Sequence, residues 1–255
     1  MERQRYVRFE HKGRTRYGRV APTVNDVTPV EVLDGDPVRT DASPTGELLE
    51  MEEFRFLAPL APGRVVTVTD NYASDYPNGD TTNTATSEAT SEATSEATSE
   101  ASGAPQAPRF SLLSDPPPTV VAPHTPVPPP ARYAAELAVV IGRGSHVFGY
   151  TCANALAHGS LALGPWIVTG VDPTSLNIGS MVNGVRRQQS NTSRLLTPVA
   201  PLLAHVTATV ALEPGDVVLT GTPEGSGELK PGDWFTVFVE HIGTLGNSIP
   251  AGQSH

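Results

Sequence analysis

Glu136 stands alone in the stretch RYAAELAVVIG (132–142), an acid among small and apolar residues that read as a strand. A carboxyl buried without a cation or donors keeps its proton to higher pH. Such a residue can act as a neutral hydrogen-bond donor or a general acid, and the plain alternative is a solvated strand position. Tyr72 and Asp75 fall in NYASDYPNGD, where an Asp–Tyr pair can bind a polar group and turn chemistry explains the same letters. Thr222 in GTPEG lies between Gly221 and Gly225, so this turn is either a placed hydroxyl or backbone freedom alone. His158 can carry protons near neutral pH or simply be solvated in its loop. Gln188, with Arg186, Arg187 and Gln189, follows the VNG turn, at a pocket mouth or in a solvated hairpin. His146, His205 and His241 show no metal-ligand spacing.

The elements that must position these residues are short strands. Gly at 23 and Pro at 25 punctuate the 255 residues, and helical periodicity is scarce, which favours a mainly β (α+β) architecture. RYVRFEHKGRTRYGRV reads as a hairpin with Val7 and Phe9 on one face. RVVTVTD and VVLTGTP read as further strands, and GDWFTVFVEHIGTLGNSI as a strand, a Gly-bearing bend and another strand. Residues 85–100 are four copies of ATSE, in which a helix would stack Glu88, Glu92, Glu96 and Glu100 with like-charge repulsion. Nothing there can fill a core, so an insertion at about 78–108 is expected to be disordered. The predicted organisation is a small N-terminal β domain over 1–62 and a core domain over 63–255.

Charge and composition narrow the partners. Seventeen basic residues against 27 acidic ones leave a net charge of −10, with no basic run, so neither nucleic acid nor an anionic membrane is an expected partner. The single cysteine, Cys152, excludes an internal disulfide and suits a reducing compartment. The charged opening MERQRYVRFE lacks a signal-peptide core and no 18-residue apolar stretch occurs, which predicts a soluble, cytoplasmic protein.

Three blocks, YAAELAVVIG, GYTCANALA…LGPWIVTG and VNGVRRQQSNTSRLL…LEPGDVVLTGTPEGSG, together with the closing LKPGDWFTVFVEHIGTLGNSI, resemble the fumarylacetoacetate hydrolase superfamily. The opening hairpin and FRFLAPLAPGRVVTVTDNYASD resemble its N-terminal region and first core strand. The resemblance implies a mixed β-roll core, commonly homodimeric, and a divalent metal held by a Glu-x-Glu pair and the Asp of an Asn-Asp-Val-Ser motif. Alternation supports the pair, since residues i and i+2 of a strand face one way about 6.6 Å apart, and hard cations take oxygen ligands.

The matching positions depart from that pattern. Ala134 replaces the first acid, leaving Glu136, and Asn154 keeps its place while Ala155 replaces the Asp. Asp75 stands at the histidine of the lid motif and Asp115 at a lysine. The stretch LAHGSLALGPW (156–166) is shortened, lacks the Arg, Gln and Lys that the family directs at substrate, and contains His158. Metal is therefore not expected, nor any other cofactor. The substitutions favour a metal-independent enzyme catalysing isomerisation, cyclisation or a pericyclic, cycloaddition-type step on a largely apolar, polyketide-like small molecule of specialised metabolism. Glu136 and Thr222 are the candidate catalytic residues, and Tyr72, Asp75, Asn154, His158 and Gln188 the candidate substrate contacts, around a mainly apolar pocket. The alternatives are a carbon–carbon hydrolase, decarboxylase or isomerase of β-dicarbonyl acids, and a non-catalytic ligand-binding protein.

The repeat generates one prediction. Deleting residues 85–100 should leave the melting temperature within about 3 °C of the parent, because a segment with no core-forming residues adds little buried surface. A larger drop in a thermal melt would show that the repeat packs against the fold.

Overall fold

The computed structural model describes residues 2–23, 26–73, 108–114, 118–157 and 159–251. The ATSE repeat, and with it nearly all of the 78–108 insertion, lies outside the described residues, as do Asp75, Asp115 and His158.

Alternation builds the N-terminal unit. Strand β1 (Gln4–His11) turns back into β2 (Arg14–Val20) through Lys12 and Gly13, both at positive φ, as a two-residue hairpin loop matched to strand twist requires. β3 (Val30–Leu33), β4 (Pro44–Leu49) and β5 (Arg55–Phe56) complete it. Val7, Phe9, Val30, Val32, Leu49 and Phe54 bury their side chains together, with the Phe9 and Phe54 rings 4.3 Å apart.

The remaining strands form the larger body. They are β6 (Val65–Thr69), β7 (Arg109–Leu113), β8 (Thr119–Val121), β9 (Ala131–Tyr133), β10 (Ala135–Ile141), β11 (Val147–Ala155) and β12 (Ser160–Thr169). After them come β13 (Asn177–Val182), β14 (Val185–Asn191), helix α1 (Val199–Thr207), β15 (Val217–Leu219), β16 (Gly227–Leu229), β17 (Trp234–Val239) and β18 (Gly243–Ser248). Among the described residues the main sheet runs β4-β3-β2-β1-β12-β11-β10-β15-β6-β7. Pairing of β1 with β12 makes the N-terminal strands continuous with the core sheet. The sheet is mixed, since β15 with β6 and β12 with β8 are parallel and the other pairs antiparallel. This is the mainly β architecture that the sequence pattern predicts, with the mixed sheet that the family resemblance implies.

Strand β10 is buried at every position, as a strand covered on both faces must be. Ala135, Leu137, Val139 and Ile141 enter the larger core, which β13, β17, β18 and the inner face of α1 (Val199, Leu202, Val206) close. Ala138 and Val140 point the other way, into a core shared with Ala153, Leu161, Leu163, Val217 and Leu219 and covered by Val38 and Leu60. The strand bearing Glu136 is thus clamped between two apolar layers. No helix of the described residues is long and apolar enough to cross a membrane.

Phe9 is fully buried, so Phe9→Ala should destabilise the chain by about 3–5 kcal/mol through lost burial and a residual cavity. Chemical denaturation measures this, and a cost below about 1 kcal/mol would mean that the aromatic cluster does not hold the N-terminal strands.

Candidate functional site

Pairing register assembles the site. In the β10–β11 ladder Glu136 faces Ala153 and Ala135 faces Asn154, and the Ala155 N–H donates to the Ala134 carbonyl at 3.2 Å. Because side chains alternate, Ala134, Glu136, Ala153 and Ala155 share one face of two adjacent strands. The three positions where the resemblance implies carboxylates therefore do meet in space, but two of them carry only a methyl group.

Glu136 is 5% exposed. Its Oε2 accepts one hydrogen bond, from the Gly221 N–H at 2.8 Å, and its other oxygen has no protein partner among the described residues. Burial pushes the carboxyl up to about 8, the Gly221 N–H opposing this only in part. The group is consequently a protonated acid through much of the neutral range.

The donor comes from the end of β15. That strand pairs with β10 from Val217 to Leu219, and the Thr220 N–H adds a bond to the Leu137 carbonyl at 3.1 Å. Gly221 then takes φ +93°, a left-handed conformation that L side chains rarely adopt, and turns its N–H onto Glu136. Asn71 holds this turn from one side. Its Nδ2 donates to the carbonyls of Thr220 (2.9 Å) and Thr197 (3.1 Å), and its Oδ1 accepts from the Thr197 N–H (2.8 Å).

Gln188 holds it from the other side. This side chain, 1% exposed, accepts from the Ala135 N–H and the Ser180 hydroxyl at 3.0 and 2.8 Å. Its Nε2 donates to Thr222 Oγ1 at 2.9 Å and to the Pro223 carbonyl at 2.7 Å. Thr222 is half-buried, one residue beyond the donor to Glu136. Asn154 is fully buried, and its amide is spent on the backbone, accepting from the Ala134 N–H at 2.5 Å and donating to the Arg132 carbonyl at 3.0 Å. Tyr72 is half-buried, bridges to Leu195 and packs against the larger core, next to the Asn71 clasp.

Glu136, Asn154, Gln188 and Thr222 are therefore brought into one network at the start of β10, with Tyr72 on its margin. Asp75 and His158 lie outside the described residues. Gly221, read from sequence only for its backbone freedom, supplies the donor to Glu136, and Asn71 and Ser180 belong to the same network without being singled out from sequence. The one available signal was Asn71 directly after the β6 run, an amide at a strand end beside a turn. Two open clefts of about 290 and 350 Å³ lie elsewhere, beside Glu50 and Met51 and between Arg8, Leu60 and Val120, and neither includes Glu136.

The residues present do not fit a divalent metal. At the implied position one carboxyl remains, it is neutral over much of the neutral range, and Ala134 and Ala155 offer no oxygen. Among the described residues no three His, Cys, Asp or Glu side chains are gathered to hold an ion.

Known proteins extend the comparison. Residues 151–250 match the fumarylacetoacetate (FAA) hydrolase C-terminal family and residues 4–59 match the Rv2993c-like, N-terminal family. Protein Rv2993c of Mycobacterium tuberculosis is 30% identical over 240 residues, covering 80% of this chain and 82% of that protein. A 4-hydroxyphenylacetate degradation bifunctional isomerase/decarboxylase of Salmonella dublin is 31% identical over 154 residues, 48% of this chain and 36% of that protein. The crystal structure of a 5-carboxymethyl-2-hydroxymuconate delta-isomerase from Mycobacterium smegmatis superposes with a TM-score of 0.77 at 28% identity, covering 97% of this chain and 99% of that one.

Glu136 also makes stability depend on pH. An ordinary glutamate loses its proton near 4.5, whereas the folded chain holds this one up to about 8. Between these values the folded state binds more protons than the unfolded state, so stability falls as pH rises through the window and levels off above it. Glu136→Gln keeps an oxygen for the Gly221 N–H and removes the ionisation. It should raise the melting temperature by more than about 3 °C at about pH 8.5, the gain shrinking towards about pH 5. An equal difference at both pH values would overturn the raised proton affinity.

Proposed function

Because this chain belongs to the fumarylacetoacetate hydrolase family, we propose that it is an enzyme of that fold which works without a divalent metal. It acts as an isomerase or cyclase, pericyclic steps included, on a largely apolar, weakly charged small molecule of the polyketide type. One observation carries the proposal. A single carboxyl, Glu136, sits on the strand face where its two companion positions are alanine, one oxygen held by the Gly221 N–H and the other without a protein partner among the described residues. The isomerase named in the Mycobacterium smegmatis structure and the isomerase/decarboxylase of Salmonella dublin support the reaction class.

The chemistry follows from the residues. A protonated Glu136 can donate its hydrogen to a carbonyl oxygen of the substrate, and the Thr222 hydroxyl can donate a second bond beside it. Two donors aimed at developing negative charge in a desolvated site lower the barrier to enolisation or to bond reorganisation. Alanines in place of acids leave room and remove repulsion for an apolar ligand, whose burial contributes roughly 25 cal/mol per Å². The metal-dependent hydrolase or decarboxylase alternative needs ligands that Ala134 and Ala155 cannot supply.

Thermal unfolding with manganese or magnesium separates the metal-free reading from the metal-dependent one. An ion that binds only the folded chain must stabilise it, by about 4 kcal/mol at a thousandfold excess over its Kd. The expected outcome is a shift below about 1 °C with either ion, and none with EDTA. A shift matching micromolar affinity would restore the metal-dependent hydrolase.

A further inference from the structure

We infer that Gln188 is the positioning residue of this site, its side-chain amide fixing the Thr222 hydroxyl and holding the turn that sets the Gly221 N–H on Glu136. The inference rests on the reading of Glu136 and Thr222 as the paired donors and adds what holds them in place.

The amide makes four hydrogen bonds to four separate pieces of backbone and side chain. Its oxygen meets two groups that donate here, the Ala135 N–H at 3.0 Å and the Ser180 hydroxyl at 2.8 Å. Its nitrogen meets the Pro223 carbonyl at 2.7 Å, which can only accept. The amide therefore has one admissible orientation, because reversing it would set N–H against N–H and carbonyl against carbonyl. The fourth bond, from Nε2 to Thr222 Oγ1 at 2.9 Å, then makes the threonine oxygen an acceptor. Its own hydrogen is left to donate elsewhere.

The same amide spans a gap in the sheet. β15 leaves β10 after Thr220, so the Ala135 N–H has no partner on that strand and takes the glutamine oxygen instead. Packing requires the bridge to be close. A Cβ on Gly225 would lie 2.5 Å from the Arg187 carbonyl, so the turn rests directly on the backbone beside Gln188. Gln188→Leu would take from the Ala135 N–H and the Pro223 carbonyl the partner each has here, and with it the bridge that ties the turn to the start of β10.

Amide exchange in the full ¹⁵N-labelled chain tests this at the atom concerned. In Gln188→Leu the Gly221 N–H should exchange at least about tenfold faster than in the parent, with its proton resonance moved, while Val217 and Val218 in β15 keep their protection. Gln188→Glu serves where the leucine variant does not fold. Its acid form supplies one donor and one acceptor, and its carboxylate supplies acceptors only. Measured against the parent at equal pH, Gly221 should stay protected at about pH 5 and loosen at about pH 9. An unchanged Gly221 in the leucine variant, or equal protection at both pH values in the glutamate variant, would overturn the inference. Stabilisation by manganese with a loosened Gly221 would sink only the metal-free reading, and the reverse result only the role of Gln188.

Discussion

A buried strand that loses its neighbour must find other partners for its backbone, and this constraint governs the region around Glu136. β15 accompanies β10 only as far as Thr220, after which the chain turns away through Gly221, Thr222 and Pro223. Donors and acceptors exposed by that divergence are buried, so each needs a partner within the protein. The Asn71 and Gln188 amides supply them on either side of the turn. Polar side chains that could have faced a ligand thus become part of the scaffold. Glu136 keeps one oxygen without a protein partner among the described residues.

The far end of β15 is secured differently. Arg64 places Nε and Nη2 at 3.0 and 2.6 Å from Asp216 Oδ2, joining the residue before β6 to the residue before β15 where the two strands run parallel. The guanidinium pairs with the carboxylate by two charge-assisted hydrogen bonds, although Asp216 is only 3% exposed. Glu136 has no such cation among the described residues. Two buried acids on neighbouring elements therefore meet opposite fates, one paired with an arginine, the other pushed towards its neutral form and held by a single backbone N–H.

Kinship with an isomerase-bearing family and departure from its site are compatible because fold and chemistry rest on different residues. The apolar faces of β10, β11 and β12 hold the sheet together whatever occupies positions 134 and 155. Alanine at 134 and 155, where the resemblance implies carboxylates, spares a buried face the repulsion of further acids beside Glu136.

Local letters alone determined several strands and the inward face of the first. Val7 and Phe9 inward, the run from Ala135 to Ile141 and the bend before Gly243 follow from alternation and turn residues, which act over a few positions. Resemblance marked Glu136, Ala134 and Ala155 as belonging to one place. Tertiary structure decided what each polar residue does there. Gln188 reads equally well as a hairpin surface residue or a ligand contact, and only its approach to Ala135, 53 residues away, makes it a buried clasp. Asn154 likewise has its amide committed to Arg132 and Ala134, and Asn71 reaches Thr197 and Thr220 across more than a hundred residues. Hydrogen bonds of this kind depend on where strands diverge in space, and that divergence leaves no periodicity in the chain. The proton on Glu136 belongs to the same class, because it is set by the depth of burial and by one N–H contributed 85 residues downstream.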